Sequence, residues 1–193
     1  MDSRHLAFLD SLKSAEFAHV NRKARDHLLG VHDILAGWGC PPETCLAGLF
    51  HNIYGTESFK PQAVALDERR EVAAVIGDAA ELLAFWFCVS RRVSFFARQS
   101  PSAICIWDEV HKARVSVTAP QLSALIDIEA ANLVEQYCEQ LHDHPAQLAQ
   151  SEAMIRWMLA QPVPMSLAAR ESLGELLQTI DRDRRARTAS AVS

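Results

Sequence analysis

Apolar residues recur three or four positions apart through most of the chain, which is the spacing of a helix face. This pattern predicts a first helix marked by Leu6, Leu9, Leu12 and Phe17, and further helices over about 21–38, 43–53, 67–89, 120–142, 146–161 and 166–187. A shorter apolar element covers 103–110, and 115–118 is the only strand candidate, too short to build a sheet. The pattern therefore predicts an all-α fold.

Neither an internal repeat nor an interdomain linker interrupts these helices. A chain of 193 residues is long enough for one sizeable core, so we expect a single domain. Within it, residues 1–160 form the helical core, and 161–193 form a C-terminal helix with a frayed basic tail.

The second predicted helix carries a histidine on its apolar face. His27, Val31, Ile34 and Trp38 are spaced by four, three and four positions, so they share one side of the helix and point into the core. By the same geometry the dipeptide His32-Asp33 turns away to a polar face. His27, rather than the literal His-Asp pair, is therefore the candidate interior histidine.

The third predicted helix is apolar on all sides over 45–50 and then continues into two polar residues, His51 and Asn52. Buried polar groups need partners, and Tyr54 is close enough in sequence to offer a hydroxyl. In the long helix, Asn132 aligns with Leu125 and Ile128 on an apolar stripe, with Glu129 as the nearest acid on that side.

Two inward histidines and two inward amides on three helices favour one polar interior pocket. The alternative is that each of them is a separate core residue satisfied by its own hydrogen bond.

Charge and cysteine content exclude several classes of function. The net charge of −5 provides no basic field that would recruit nucleic acid, and no run of about 18 apolar residues could span a membrane. The five cysteines include no Cys-x-x-Cys pair and are interpreted as reduced and buried, as in a cytoplasmic protein. The first residues lack a signal-peptide pattern.

Three runs carry a family resemblance: 26–35 (Asp-His-Leu-Leu-Gly-Val-His-Asp-Ile-Leu), Trp38-Gly39 and 47–52 (Ala-Gly-Leu-Phe-His-Asn). Together they resemble the start of an HD-superfamily domain, and their layout is similar to the hydrolase domain of alarmone synthetase/hydrolases. The stretch 70–82 resembles the next helix there, and the resemblance covers about 19–140. The run 50–56 is similar to an uncharacterised HD-like branch with a His-x-x-Tyr-Gly-Thr motif. An HD-domain-like helical bundle with additional C-terminal helices is implied.

The same resemblance places the metal ligands of the family on His27, His51, Asn52 and Asn132, with asparagine at both aspartate positions. An acidic pair of the alarmone hydrolases falls on Gly55 and Thr56. Amides offer no charge to a hard cation, so Mg²⁺ or Mn²⁺ would bind weakly. A softer ion could bind if His19, Glu57 or Glu129 completed the ligand set. We therefore expect either one Fe, Mn or Zn ion or none.

These residues give two hypotheses of function. The first is a small-molecule enzyme, either an atypical metal-dependent hydrolase or a metal-free lyase, isomerase or cyclase. His51 would be its general acid or base, assisted by His27 and Tyr54. Residues expected to contact the substrate are His19, Asn52, Asn132, Trp38 and Glu57. The second is a catalytically inactive module that binds a ligand or a partner. A homodimer is compatible with both.

Overall fold

A computed structural model of the protein describes residues 1–12, 21–56, 62–97, 104–143 and 145–190. This part of the chain is predominantly helical, as the apolar spacing predicted. Its helices are α1 (Ser3–Ser11), α2 (Asn21–Gly37), α3 (Pro42–Leu49), α4 (Arg69–Ile76), α5 (Asp78–Val89), α6 (Arg92–Phe95), α7 (Ala119–Asp143), α8 (Pro145–Ala160) and α9 (Leu167–Ser190). A 3-10 turn, Leu66–Glu68, precedes α4.

Helix α7 is the central element of the fold. It packs against α2, α3 and α5 on one side and against α8 and α9 on the other. Its inner positions Leu122, Leu125, Ile126 and Ile128 are fully buried. Because α2 and α3 also pack on each other, side chains from α2, the end of α3 and α7 can converge on one interior point.

The third helix is shorter than predicted. It ends at Leu49, and residues 51–54 form a turn rather than a continuation of the helix. Gly55, at φ 74°, follows that turn and takes the left-handed backbone that favours glycine. His51 and Asn52 therefore lie at the C-terminal end of α3 and not on it.

The prediction of a single helix over 67–89 is wrong. Gly77, at φ 89°, separates α4 from α5, because a backbone in the left-handed region cannot continue a right-handed helix. The apolar pattern runs through this break because both helices pack into the same core, α4 with one face and α5 with all sides of its second half.

Two strands form where a helix-like apolar element and a weak strand candidate were expected. Strands β1 (Cys105–Asp108) and β2 (Ala113–Ser116) pair as an antiparallel hairpin. The Asp108 carboxylate accepts hydrogen bonds from the backbone N–H groups of Val110 and His111, which fixes the turn. The expectation that this stretch is too short to build a sheet was therefore wrong.

Helix α9 continues to Ser190, beyond the predicted end at about 187, so its basic end is helical where a frayed tail was expected. Ion pairs with α8 account for the extension: Asp181 pairs with Arg156, and Arg184 pairs with the buried Glu152. Within the described residues, no helix is long and apolar enough to cross a membrane. Cys40, Cys45, Cys88 and Cys105 are free thiols.

Candidate functional site

The two histidines predicted to face inward meet in the structure. His27 comes from α2 and His51 from the turn after α3, and their Nε2 atoms are 3.4 Å apart. The rings approach edge-on, with centroids 5.2 Å apart and planes at 76°. The packing of α3 on α2 brings these two side chains together.

His51 is a neutral, buried imidazole. Its Nδ1 lies 2.7 Å from the carbonyl oxygen of Gly48, and since a carbonyl only accepts, Nδ1 carries the hydrogen. Burial lowers the pKa of His51 to about 3, and nearby His27 and Arg92 act in the same direction. Nε2 of His51 is therefore an unprotonated acceptor at neutral pH, and it faces Nε2 of His27.

Glu135 on α7 contacts the ring of His27. Its carboxylate contacts Nδ1 of His27, and since an ionised carboxylate only accepts, that nitrogen also carries a hydrogen. The two side chains are partly exposed, 17% for His27 and 25% for Glu135, so they form the accessible side of the site.

Glu135 is the functional candidate that the sequence reasoning missed. The inward stripe of α7 was followed through Leu125, Ile128 and Asn132, with spacings of three and four. One more step of three reaches Glu135. Glu129, the acid singled out instead, is 6% exposed and forms an ion pair with Arg92, 3.1 Å from Nε of that arginine.

The two asparagines at the expected ligand positions have different surroundings. Asn132 hydrogen-bonds to His51, and its Oδ1 accepts from Nε2 of Gln136 at 3.0 Å. Asn52 is only 7% exposed, and its Oδ1 has no hydrogen-bond partner among the described residues. The interior therefore contains one amide that is satisfied and one acceptor that is not.

The Tyr54 hydroxyl is engaged away from the histidine pair. It donates to Oε1 of buried Glu81 at 2.8 Å, and Arg69 holds the same carboxylate through two hydrogen bonds of 2.7 and 2.8 Å. Burial and the bond to Glu81 raise the pKa of Tyr54, so the phenol stays protonated. These contacts tie the turn after α3 to α4 and α5.

Arg92 packs on the aromatic ring that contacts His51. Its guanidinium lies 3.6 Å from the centroid of Phe87, and it donates to the carbonyl oxygens of Phe87 and Ser90 at the end of α5. The Phe87 ring in turn packs edge-on against His51, with centroids 5.3 Å apart. Arg92 therefore both caps the end of α5 and packs on the ring that contacts His51.

The remaining residues that the sequence analysis singled out do not contact the histidine pair in the described part of the structure. Trp38 donates from Nε1 to Oγ of Ser172 on α9, at 3.2 Å. Asp33 is exposed as expected, but His32 is 8% exposed and so does not lie on a polar face as predicted. The hydrogen bond from His32 Nδ1 to the Asp33 carboxylate, 2.9 Å, gives the buried ring a polar partner. His19 and Glu57 lie outside the described residues.

The side chains around the histidine pair do not form a metal-binding cluster in the described residues. Across the described ranges, no group of three or more His, Cys, Asp or Glu side chains is arranged to hold a metal ion. The carboxylate nearest the histidine pair, Glu135, is directed at the ring nitrogen of His27 that faces away from His51.

The site spans two regions of the chain that differ in their similarity to known proteins. The family profile of a domain of unknown function, DUF6817, matches residues 8–92. The matched segment contains His27, His51, Asn52 and Tyr54, whereas Asn132 and Glu135 lie beyond it. No curated protein and no solved structure matches the chain.

Proposed function

We propose that this chain is an HD-like small-molecule enzyme that transfers protons without a metal ion, as a lyase, isomerase or cyclase does. The observation that carries the proposal is the series of contacts from Glu135 to His27 and from His27 Nε2 to His51 Nε2. A carboxylate that orients one histidine beside a second, neutral one is an arrangement suited to acid–base catalysis.

Each side chain has a distinct part in such a reaction. Glu135 fixes the orientation of the His27 ring, so that its Nε2 is presented at the centre of the site. His51, kept neutral by burial, is a weak base and offers the lone pair of Nε2 as a hydrogen-bond acceptor to His27. The partly exposed His27, oriented by Glu135, is therefore the group that takes the proton from the substrate. When Nε2 of His27 takes a proton from a C–H of a small substrate that enters beside it, the ring becomes an imidazolium whose new N–H can donate to Nε2 of His51, 3.4 Å away. The same proton then returns to another atom of the substrate anion, which leaves both rings neutral again.

The charges around the pair argue against a phosphoester substrate. The side chains in contact with the histidines include a carboxylate, an amide and a phenyl ring: Glu135, Asn132 and Phe87. The nearby cation, Arg92, is bound to Glu129 and to two carbonyl oxygens. We therefore propose an uncharged substrate, because a phosphate would face a carboxylate with little compensation.

The carboxylate-rich metal centre of HD hydrolases does not fit these residues, since both aspartate positions hold asparagine. One observation nevertheless supports a second candidate, a hydrolase with a softer ion. A tetrahedral ion with bonds of about 2.0–2.1 Å separates two ligand nitrogens by about 3.4 Å, and the two Nε2 atoms are 3.4 Å apart. A Zn²⁺ or Fe²⁺ ion bound there would acidify a water molecule.

Metal analysis separates the two candidates. Protein purified without chelators and without a metal-affinity tag is expected to contain well under one equivalent of Fe, Mn or Zn. A full equivalent in the parent protein that disappears in the His27→Ala/His51→Ala double variant would replace the metal-free proposal with the second candidate. Elemental mass spectrometry gives this content directly.

Proton transfer itself can be tested by deuterium exchange. We expect the parent protein in D₂O to exchange the acidic C–H of at least one compound in a panel of small uncharged ketones and aldehydes. His27→Ala and His51→Ala should each reduce that rate at least about 100-fold, while His111→Gln, at an exposed histidine, should leave it unchanged. An inactive binding module predicts no exchange above the buffer rate in any of these proteins.

A further inference from the structure

Helix α2 carries a glycine one turn after His27, at the point where α7 crosses it. A Cβ placed on Gly30 would lie 2.8 Å from Cγ of Glu135, 3.2 Å from its Oε1 and 3.4 Å from its Cδ. Approaches below 3.0 Å essentially do not occur for real Cβ atoms. The Glu135 side chain therefore occupies the space that a side chain at position 30 would fill.

Backbone conformation does not explain this glycine. Gly30 lies within α2, and the positive-φ glycines of the described chain are Gly39, Gly55 and Gly77. Inside a helix, glycine is less favourable than alanine because it loses more conformational freedom on folding. A glycine with ordinary helical backbone is explained if another group must come close to its Cα. Here that group is Glu135, the carboxylate partner of His27.

We infer that Gly30 is a positioning residue. The absence of a side chain at this position lets Glu135 pass across α2 and reach Nδ1 of His27, which sets the direction in which His27 Nε2 points. This inference deepens the proposed function and rests on its Glu135–His27 contact. A residue with no functional group of its own therefore sets the geometry of the proton-transferring pair.

The same helix provides a matched control. Gly37 also belongs to α2, is exposed, and has nothing within 4 Å of the position that an added methyl group would take. Gly37→Ala therefore makes the same chemical change in the same helix without touching Glu135. Both substitutions favour helix formation, so any difference between them reports on the space beside Glu135.

The test is nuclear magnetic resonance of the His27 ring in the full chain. Hydrogen-bonded to a carboxylate, the Nδ1 proton should give a low-field, slowly exchanging signal in the parent protein. We expect Gly30→Ala and Glu135→Ala each to abolish that signal, and Gly37→Ala to retain it. In the double variant Gly30→Ala/Glu135→Ala, the alanine at position 30 should have no further effect on the ring.

A Gly30→Ala protein that keeps the parental Nδ1 signal would overturn the inference, because Glu135 would then have adjusted to the added methyl group. If Gly30→Ala fails to fold, the Glu135→Ala background provides the comparison, since truncating Glu135 removes the clash and should restore folding. The signal is read without any substrate. If Gly30→Ala loses the Nδ1 signal while the parent protein shows no deuterium exchange, the proposed function is overturned and the role of Gly30 stands.

Discussion

Asn52 and Asn132 are both inward-facing amides, but only one of them is satisfied by the protein. Asn132 bonds to His51 and Gln136, whereas Oδ1 of Asn52 has no partner among the described residues. A buried polar atom left in this condition costs about 1–3 kcal/mol. At these two positions, therefore, the same substitution should have opposite effects on stability.

We expect Asn52→Leu to raise the free energy of unfolding by about 1 kcal/mol, because it removes an unsatisfied acceptor and keeps a similar volume. Asn132→Leu should lower it by about 1–2 kcal/mol, because it breaks bonds that the folded protein makes. Urea denaturation of the two variants and the parent gives both values. A destabilised Asn52→Leu protein would show that this amide is already satisfied, for example by a buried water molecule.

How far the site was predictable differs from residue to residue. His27 and His51 followed from helix periodicity and from the apolar run before His51, both of which are local signals. Glu135 lay on the same stripe as Asn132, but nothing in the sequence marks which acid on a helix will meet a histidine 108 positions away. The partner of the Tyr54 hydroxyl, Glu81, depends in the same way on how α5 packs.

Among the elements, the long helices were predicted best. Helices α2, α7 and α8 agree with their predicted bounds within about three residues, because each keeps one apolar face over several turns. The break at Gly77 and the hairpin of β1 and β2 were missed. Both depend on backbone geometry, a left-handed glycine and a turn fixed by Asp108, that apolar spacing does not record.

The contact between α2 and α3 depends on a second glycine. A Cβ on Gly48 would lie 2.3 Å from Cδ1 of Leu35 and 3.3 Å from Cγ1 of Val31, and neither of those side chains is exposed. We expect Gly48→Ala to lower the free energy of unfolding by up to about 2 kcal/mol, since overpacking costs about 1–3 kcal/mol and the gain in helix propensity is about 1 kcal/mol.

Gly174→Ala is the control for this prediction. Gly174 lies within α9, and nothing approaches within 4 Å of its added methyl group. That variant should be more stable than the parent by about 0.5–1 kcal/mol. Both changes are measured by chemical denaturation, and equal effects at the two glycines would contradict the close packing of α2 on α3.

For the molecule as a whole, His51 makes stability depend on pH. Its pKa is about 3 in the folded protein against 6.5 for an unperturbed histidine. Between these values the unfolded chain binds a proton that the folded protein does not, so stability is complete above about pH 6.5 and falls as the pH is lowered. The slope is at most about 1.4 kcal/mol per pH unit.

The range from pH 6.5 to about 5 lies above the pH at which carboxyl groups with lowered pKa values, such as Asp108 and Glu152, cease to stabilise the fold. Groups with a raised pKa, such as buried Asp127, contribute equally to the parent protein and to a His51 variant, so the difference between the two reports on His51. Over that range we expect the parent protein to lose about 1–2 kcal/mol more than His51→Gln. Urea titrations at several pH values measure the difference. Parallel pH profiles for the two proteins would show that His51 is not held neutral.

The contact between His27 and Glu135 closes a loop of 108 residues. Contacts that distant in sequence form late, after the entropy of bringing the segments together has been overcome. The segment matched by DUF6817 ends before α7 begins, so it can fold its helices locally without assembling the site. Any partly folded species in which α7 is detached therefore lacks the side chains of Glu135 and Asn132 beside His27 and His51. The site exists only once the two ends of this long loop have met.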